Sequence, residues 1–398
     1  MNFNELRIRA DKDQRSVNVA FLVYREGLGP IFSSVYVNPA ECLGGLGAQS
    51  QIVLLSSAGE FLKPALRKRW SSDSLVLSVW ASKYVKHDEP IVLLCGGSQA
   101  AGLALDLKRR YPQIHVVYHS WGPEAAELEF AGAGGSEREV TPAGQHVADK
   151  MEASQARAMA AADSVIVISY PMMRWAAERY SVEKERMLHV PCFVDVEHFV
   201  ESAKGRERVR SELGVSDEFV VAYCGSILPW QLSQQSLETL SIIREQKPNV
   251  HFVGLTMHQN PLRQMLDELG FPKDQTRIMT VPHWQVPEYL SAADMGILGR
   301  GLMQGPDIVN ELSSPIKFGE YLACGTPVLM SVVVVLPHYA NRDVAVQQID
   351  QFLNIYAANQ DATRLHCQEI ALRELSLKKH CARLLDHYRL TAEIAENS

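Results

Sequence analysis

No two of the seven cysteines stand in a CxxC spacing, and no cluster of His, Cys or carboxylates has metal-ligand spacing. Several of these cysteines lie inside apolar runs, as buried free thiols do. A zinc site and a disulfide framework are therefore not expected, and the pattern fits a reducing compartment. Apolar runs are short, and none approaches the ~18 residues of a membrane-spanning helix. The opening MNFNELRIRADKDQR is too charged for a secretory signal. The expected location is cytoplasmic, with peripheral contact at the inner face of a membrane left open. Positive charge is also scarce: the net charge of −7 gives no general attraction to nucleic acid. Two basic clusters, Lys63–Arg69 and Lys108–Arg110, read as solvated helix faces before they read as contacts for an anionic lipid or sugar-lipid. There is no GxGxxG or Walker pattern, so Gly96-Gly97-Ser98 reads as a tight strand–helix connection. No internal repeat is found beyond a shared βα rhythm.

What is present is the composition of a folded globular protein, 46% hydrophobic and 21% charged. Its 398 residues exceed what one hydrophobic core usually supports, so two domains are expected. Val17–Tyr24, Ile52–Ser56, Ile91–Cys95, His115–Tyr118 and Val165–Ser169 are continuous apolar runs of the kind that form buried parallel strands. Helical patterns such as Ala100–Arg110 and Ala148–Ala161 lie between them. The rhythm restarts with Phe219–Tyr223, His251–Leu255, Arg277–Val281, Met295–Leu298 and Val328–Ser331, after a seam at Val190–Lys204. This predicts an α/β fold of two doubly wound, Rossmann-like domains facing a cleft, residues 1–197 and 198–375, with ligands at the carboxyl ends of the strands. The Gly/Ala-rich Ala131–Gln145 reads as a mobile loop near that cleft. His366–Glu396 reads as one long helical pattern, its part over 376–398 available to brace the first domain.

The strongest chemical signal is SSPIKFGEYLACGTP, Ser313–Pro327, between two strands. Ser314 and Pro315 make a good helix start, and Gly325 and Pro327 a good stop. The amide-rich N-terminus of such a helix points into the cleft and suits phosphate. Lys317 in the first turn adds positive charge for a diphosphate, and Glu320 one turn on can accept both hydroxyl protons of a ribose. The plainer alternative is a surface Lys–Glu pair worth a few tenths of a kcal/mol.

This segment closely resembles the nucleotide-binding helix of GT-B glycosyltransferases, specifically the retaining family often called family 4, in its SPxKxxEYLAxGxPV form. Weaker resemblances follow in the family's order. VVAYCGSILPW (Val220–Trp230) is similar to the second domain's first strand and donor loop, which implicates Gly225 and Ser226. VPHWQVPEYLSAADMGIL (Val281–Leu298) is similar to the stretch that places the base, which implicates His283. ADSVIVIS and VPCFVDVEHF resemble the last strand of the first domain and the entry to the hinge. GLGPIFSSVYV (Gly27–Val37) resembles the Gly-rich loop near diphosphate and acceptor, which implicates Gly29 on the donor side and Ser33 and Ser34 on the acceptor side.

Two departures stand out. Many family members carry a second glutamate seven residues earlier that touches the donor sugar; here that position is Leu312, with Glu311 one residue off. The usual Arg and Lys of the donor loop are replaced by Ser226 and Trp230-Gln231, leaving Lys317, with Arg300 as an additional cation or a structural charge. His119, after a first-domain strand, is where similar enzymes place a histidine near the donor sugar; on its own it would read as a loop or core residue. Glu124 either orients the acceptor or caps the following helix. His283 and Trp284 either lie near the base or only pack in their loop.

The resemblance implies transfer of a sugar, with retention, from a UDP- or GDP-sugar to a glycan or lipid-linked acceptor, in surface polysaccharide or glycoconjugate synthesis. It implies metal-independent chemistry, no cofactor beyond the donor, and no nucleic-acid partner. Lys317 and His119 are the expected catalytic groups, with Ser313, Ser314, Pro315 and Glu320 completing the donor site. The alternatives are a nucleotide-sugar-binding protein without turnover and a sugar-nucleotide epimerase or sugar phosphorylase on the same fold.

Overall fold

The computed structural model describes residues 7–8, 18–24, 38–46, 48–55, 72–86, 89–127, 142–227, 231–232, 234–298, 308–330 and 342–397. They form two α/β domains, as the strand–helix alternation predicts. The first is built on a seven-stranded sheet with spatial order β1-β3-β2-β4-β5-β6-β7. Its strands are β1 (Arg7–Ile8), β2 (Asn18–Tyr24), β3 (Gln49–Leu55), β4 (Ile91–Gly96), β5 (Ile114–Ser120), β6 (Ser164–Val167) and β7 (Met187–His189). All neighbours run parallel except β1, which is antiparallel to β3. Helices α1 (Asn38–Gly45), α2 (Ser72–Tyr84), α3 (Ser98–Lys108), α4 (Pro142–Ala161) and α5 (Tyr170–Tyr180) cover it.

The second domain has a five-stranded, wholly parallel sheet. Its strands are β8 (Val220–Cys224), β9 (His251–Leu255), β10 (Thr276–Met279), β11 (Met295–Leu298) and β12 (Val328–Met330), in the order β10-β9-β8-β11-β12. Its helices are α6 (Ala203–Leu213), α7 (Gln234–Gln246), α8 (Gln259–Glu268), α9 (Val286–Ala292), α10 (Ile308–Glu311), α11 (Ile316–Ala323), α12 (Arg342–Ala358) and α13 (Gln360–Glu374). The strand order reverses between β8 and β11. In a doubly wound sheet the loops leaving the carboxyl ends of those two strands part there and open a crevice.

Two expectations are corrected. The long helical pattern of His366–Glu396 is broken into α13 and α14 (Leu377–Asn397). The break comes at Leu375–Ser376 because the backbone there pairs with the chain leaving the first domain: Val194 N–H donates to Leu375 C=O at 2.8 Å and Leu377 N–H to Val194 C=O at 2.8 Å. Beyond it, Leu377, Cys381, Leu384, Leu385 and Tyr388 of α14 lie in one buried cluster with Phe21, Val92 and Val117 of the first sheet and Leu43 of α1. Of the loop expected over Ala131–Gln145, residues 131–141 lie outside the described residues, and residues 142–145 are helical instead. Helix α4 begins at Pro142, whose missing N–H is no loss in a first turn.

Of the basic clusters, Lys63–Arg69 lies outside the described residues. Lys108 pairs with Asp163, and Arg109 sits 3.8 Å from Asp106 on an exposed surface.

Candidate functional site

The site grows from α11. Its C-terminal stop is a Schellman motif: Gly325 N–H donates to Leu322 C=O at 2.9 Å and Thr326 N–H to Tyr321 C=O at 3.0 Å. Gly325 adopts φ +72°, where a side chain would be strained. The start differs from the expectation. Pro315 precedes the helix in extended backbone (φ −70°, ψ 124°), and no side chain caps it. The hydroxyl of Ser314 is taken across the domain boundary by the amide of Cys192, at 3.1 Å. Ser313, half-buried, lies between it and Leu312.

Tyr321 fixes the helix to the sheet. Its hydroxyl accepts from Cys224 N–H at 2.7 Å and donates to Ala222 C=O at 3.3 Å. Gly296 on β11 makes room for the ring, since a Cβ there would meet Tyr321 at 2.6 Å. Helix α11 is thereby held beside the carboxyl end of β8, at the order reversal.

Above that strand end, Lys317 and Glu320 form an ion pair of 2.6 Å. Glu320 is 1% exposed and Lys317 23%. Burial works against the Lys317 charge, but the Glu320 carboxylate and hydrogen bonds to Glu320 and the Cys224 sulfur outweigh it, and the pKa of the ammonium is raised. The Cys224 thiol, within hydrogen-bond reach of Lys317, is pushed up by burial and stays protonated at neutral pH. His283 is close enough to feel Glu320 and Lys317, and burial lowers its pKa. It stacks on His198, from the hinge, with ring centroids 5.4 Å apart, and Phe199 meets it edge-on. The His198 Nε2 is buried without a hydrogen-bond partner. Trp284, by contrast, is 65% exposed.

The described residues just after β8 are bonded within the second domain. Gly225 N–H donates to Leu255 C=O at 3.1 Å, Ser226 N–H to Gln231 Oε1 at 3.2 Å, and the Tyr223 hydroxyl to Ser226 C=O. Gln231, standing where the resemblance expects a cation, is thus a structural acceptor. Arg300, Gly29, Ser33, Ser34 and Trp230 lie outside the described residues.

In the first domain, His119 is part of β5 rather than of the loop after it, because pairing with β6 continues through His119↔Ile166 and Ser120↔Val167. It is 5% exposed, and burial lowers its pKa to about 3. Its ring stacks on Trp121 at 3.9 Å, and His119 Nε2 and Trp121 Nε1 are both buried without partners. The Glu124 carboxylate caps α3, not the helix that follows Glu124. It accepts from Ser98 N–H at 2.9 Å, Ser98 Oγ at 2.6 Å and the Tyr118 hydroxyl at 2.7 Å. Gln155, fully buried, completes this network through Tyr118, Ser120 and Gly122. The amide end of α3 is therefore occupied by the chain's own carboxylate.

Leu312, the position of the absent glutamate, is 4% exposed and belongs to the first domain's apolar cluster. The structure thus brings together Lys317, Glu320 and His283, beside Gly225 and Ser226. It adds Cys224, His198 and Tyr321, which sequence reasoning did not single out. The segments around Cys224 and His198 both carry a resemblance; their convergence on Lys317 needs the folded chain. Among the described residues, no three His, Cys, Asp or Glu side chains are grouped to hold a metal, and no helix is long and apolar enough to cross a membrane.

No known sequence family and no curated protein matches the chain. Solved structures do. A sucrose-phosphate synthase from Thermosynechococcus elongatus superimposes with a TM-score of 0.65 at 15% identity, covering 94% of this chain and 98% of that one. Anabaena HepE, solved with UDP, gives 0.63 at 14% identity, covering 93% and 99%; it has also been solved with UDP-glucose. WaaG, a glycosyltransferase involved in lipopolysaccharide biosynthesis, gives 0.60 at 14% identity, covering 93% and 99%. Identities this low speak for architecture alone. The architecture is the one the sequence predicted: the chain has the GT-B fold of these glycosyltransferases over nearly its whole length.

Proposed function

We propose that the protein is a retaining glycosyltransferase that moves a sugar from a nucleotide-sugar donor to a glycan or lipid-linked acceptor. The observation that carries this reading is the Lys317–Glu320 ion pair, with Lys317 in the first turn of α11 and the buried Glu320 one turn on, at the strand end where the sheet order reverses. That HepE, of the same fold, has been solved with UDP and with UDP-glucose supports it.

Glu320 has one oxygen engaged by Lys317; the other is left to accept ribose hydroxyls. An ammonium has three N–H donors, so Lys317 can keep Glu320 and still reach a diphosphate. As the glycosidic bond breaks, negative charge gathers on that leaving group, where Lys317 and the positive end of α11 stabilise it. The acceptor attacks the face the leaving group departs from, and the departing phosphate oxygen takes its proton. His119, neutral at physiological pH, serves the donor sugar as a hydrogen-bonding group rather than as a cation. Surface polysaccharide or glycoconjugate synthesis is the setting in which such a transfer belongs.

A thermal-shift screen against UDP-, GDP- and ADP-sugars tests the first half, because a ligand bound only by the folded state raises the midpoint. Release of nucleoside diphosphate on adding acceptor tests the second. Binding without turnover on any acceptor would make this a binding protein. An altered free sugar or nucleotide formed without acceptor would make it an epimerase. No shift with any nucleotide sugar would refute the reading.

A further inference from the structure

The segment that leads into α11 belongs to the second domain by sequence and to the first by contact. Ile308 at the start of α10, Leu312 just past its end and Ile316 at the start of α11 all turn to the same apolar cluster. Leu312 is buried in the first-domain cluster that includes Met172, Ala176 and Cys192, and Ile308 and Ile316 pack against it. Two hydrogen bonds reinforce this face. Ser169 Oγ donates to Leu312 C=O at 2.8 Å, and Cys192 N–H donates to Ser314 Oγ at 3.1 Å. Each engages a backbone group at the domain boundary.

The body of α11 is tied to the second domain by the Tyr321 hydroxyl, which bonds Cys224 N–H and Ala222 C=O of β8. The helix is therefore held at its start by one domain and along its body by the other. Lys317 is the first residue after Ile316. Its bond to Glu320, 2.6 Å long, and its reach to Cys224 leave little room for the first turn to shift. We propose that Ser169 and Ser314 are positioning residues for Lys317: by fixing residues 312–316 to the first domain, they make the placement of the ammonium depend on how the two domains sit together. That Lys317 then serves a diphosphate rests on the donor-site reading above; the anchoring does not.

The hydroxyl of Ser169 has two tasks, which a single substitution separates. It accepts from Met172 N–H at 3.1 Å as the N-cap of α5 and donates to Leu312 C=O. Asp at this position keeps the cap, since carboxylates cap well, but has no proton to donate and repels the carbonyl. The test compares Ser169→Asp, Ser314→Ala and Ser314→Thr with the wild type in two measurements. The first is the rate at which an N-hydroxysuccinimide acetate ester labels Lys317, read by peptide mass spectrometry on protein without ligand. The second is the Kd for UDP and for GDP by calorimetry.

Local opening adds to the exposure of a largely covered amine in proportion to the open population. Ser169→Asp and Ser314→Ala should raise Lys317 labelling about threefold or more, leave the other lysines unchanged, and weaken nucleotide binding about three- to tenfold. Ser314→Thr, which keeps the acceptor, should restore both. Unchanged Lys317 labelling in both variants, folded by circular dichroism, overturns the inference even if nucleotide binds normally. Wild-type protein that binds neither nucleotide while Lys317 labelling responds as described leaves the anchoring intact and removes the donor-site reading instead.

Discussion

Replacing Glu320 with glutamine keeps the shape of the side chain and removes its charge, and the structure sets the size of the effect. The carboxylate is 1% exposed, and one oxygen is committed to Lys317 at 2.6 Å. The second oxygen is what a ribose would meet, as a charged acceptor in surroundings that exclude most water. Hydrogen bonds to charged groups contribute about 1.5–3 kcal/mol, and low local dielectric favours the upper part of that range. Glu320→Gln should therefore raise the Kd for a nucleoside diphosphate about 10- to 150-fold. Releasing Lys317 works the other way, because an ammonium freed from its carboxylate holds the diphosphate more strongly. Calorimetry with UDP, 2′-deoxy-UDP and 3′-deoxy-UDP separates the two effects. In the wild type, removing the hydroxyl bound by Glu320 should weaken binding by a similar factor; in Glu320→Gln it should make little further difference. A folded Glu320→Gln protein with equal penalties for the deoxy nucleotides, or with wild-type affinity for UDP, would refute the ribose assignment.

Lys317→Ala should lower turnover by about 10²–10³, the scale for losing one preorganised electrostatic group, while binding of the intact nucleotide sugar weakens less; a rate within a few-fold of wild type in steady-state kinetics would mean another cation serves the leaving group. Leu312→Ala should cost about 2–5 kcal/mol of unfolding free energy, measured by urea denaturation, and Leu312→Glu more, with no gain in donor affinity. Gly296→Ala places a methyl 2.6 Å from the Tyr321 ring and should cost about 1–3 kcal/mol, with the Cys224 amide exchanging faster as the Tyr321 hydroxyl moves off it. Burial depresses His119 from 6.5 to about 3, so the unfolded chain binds this proton first: the contribution to stability is full above 6.5 and is lost as the pH falls towards 3. Between about pH 7 and about pH 5 the wild type should lose about 2 kcal/mol more than His119→Gln, measured by urea denaturation at each pH, and parallel curves would show that His119 does not titrate this way.

Reading the strands from continuous apolar runs succeeded in both domains. The bounds of β9 and β11 coincide with the runs His251–Leu255 and Met295–Leu298. Two strands went unread, Arg7–Ile8 and Met187–His189, because two or three residues carry no periodicity. Strand β5 runs on through His119 and Ser120, whose polarity resembles a loop; the β6 backbone beside them continues the pairing. A helix-competent stretch was likewise split at Leu375–Ser376 by pairing with Val194, about half the chain away.

In the candidate site the division falls along the range of the interaction. The stop of α11 was legible because a Schellman motif is written in adjacent residues, Tyr321 to Thr326, and depends on a glycine at positive φ. The facing of Lys317 and Glu320 was legible because residues three apart share a helix face. Which partner each polar group takes was not. Ser314 had every property of a helix cap and is instead held by Cys192; Glu124, placed to cap its own helix, caps α3; Leu312, which looked like a missing sugar contact, is a piece of the first domain's core. Local sequence determines which groups are available within a turn of chain. Only the tertiary structure decides among partners 26 to 143 residues apart, because a buried donor or acceptor takes whichever partner packing brings within about 3 Å.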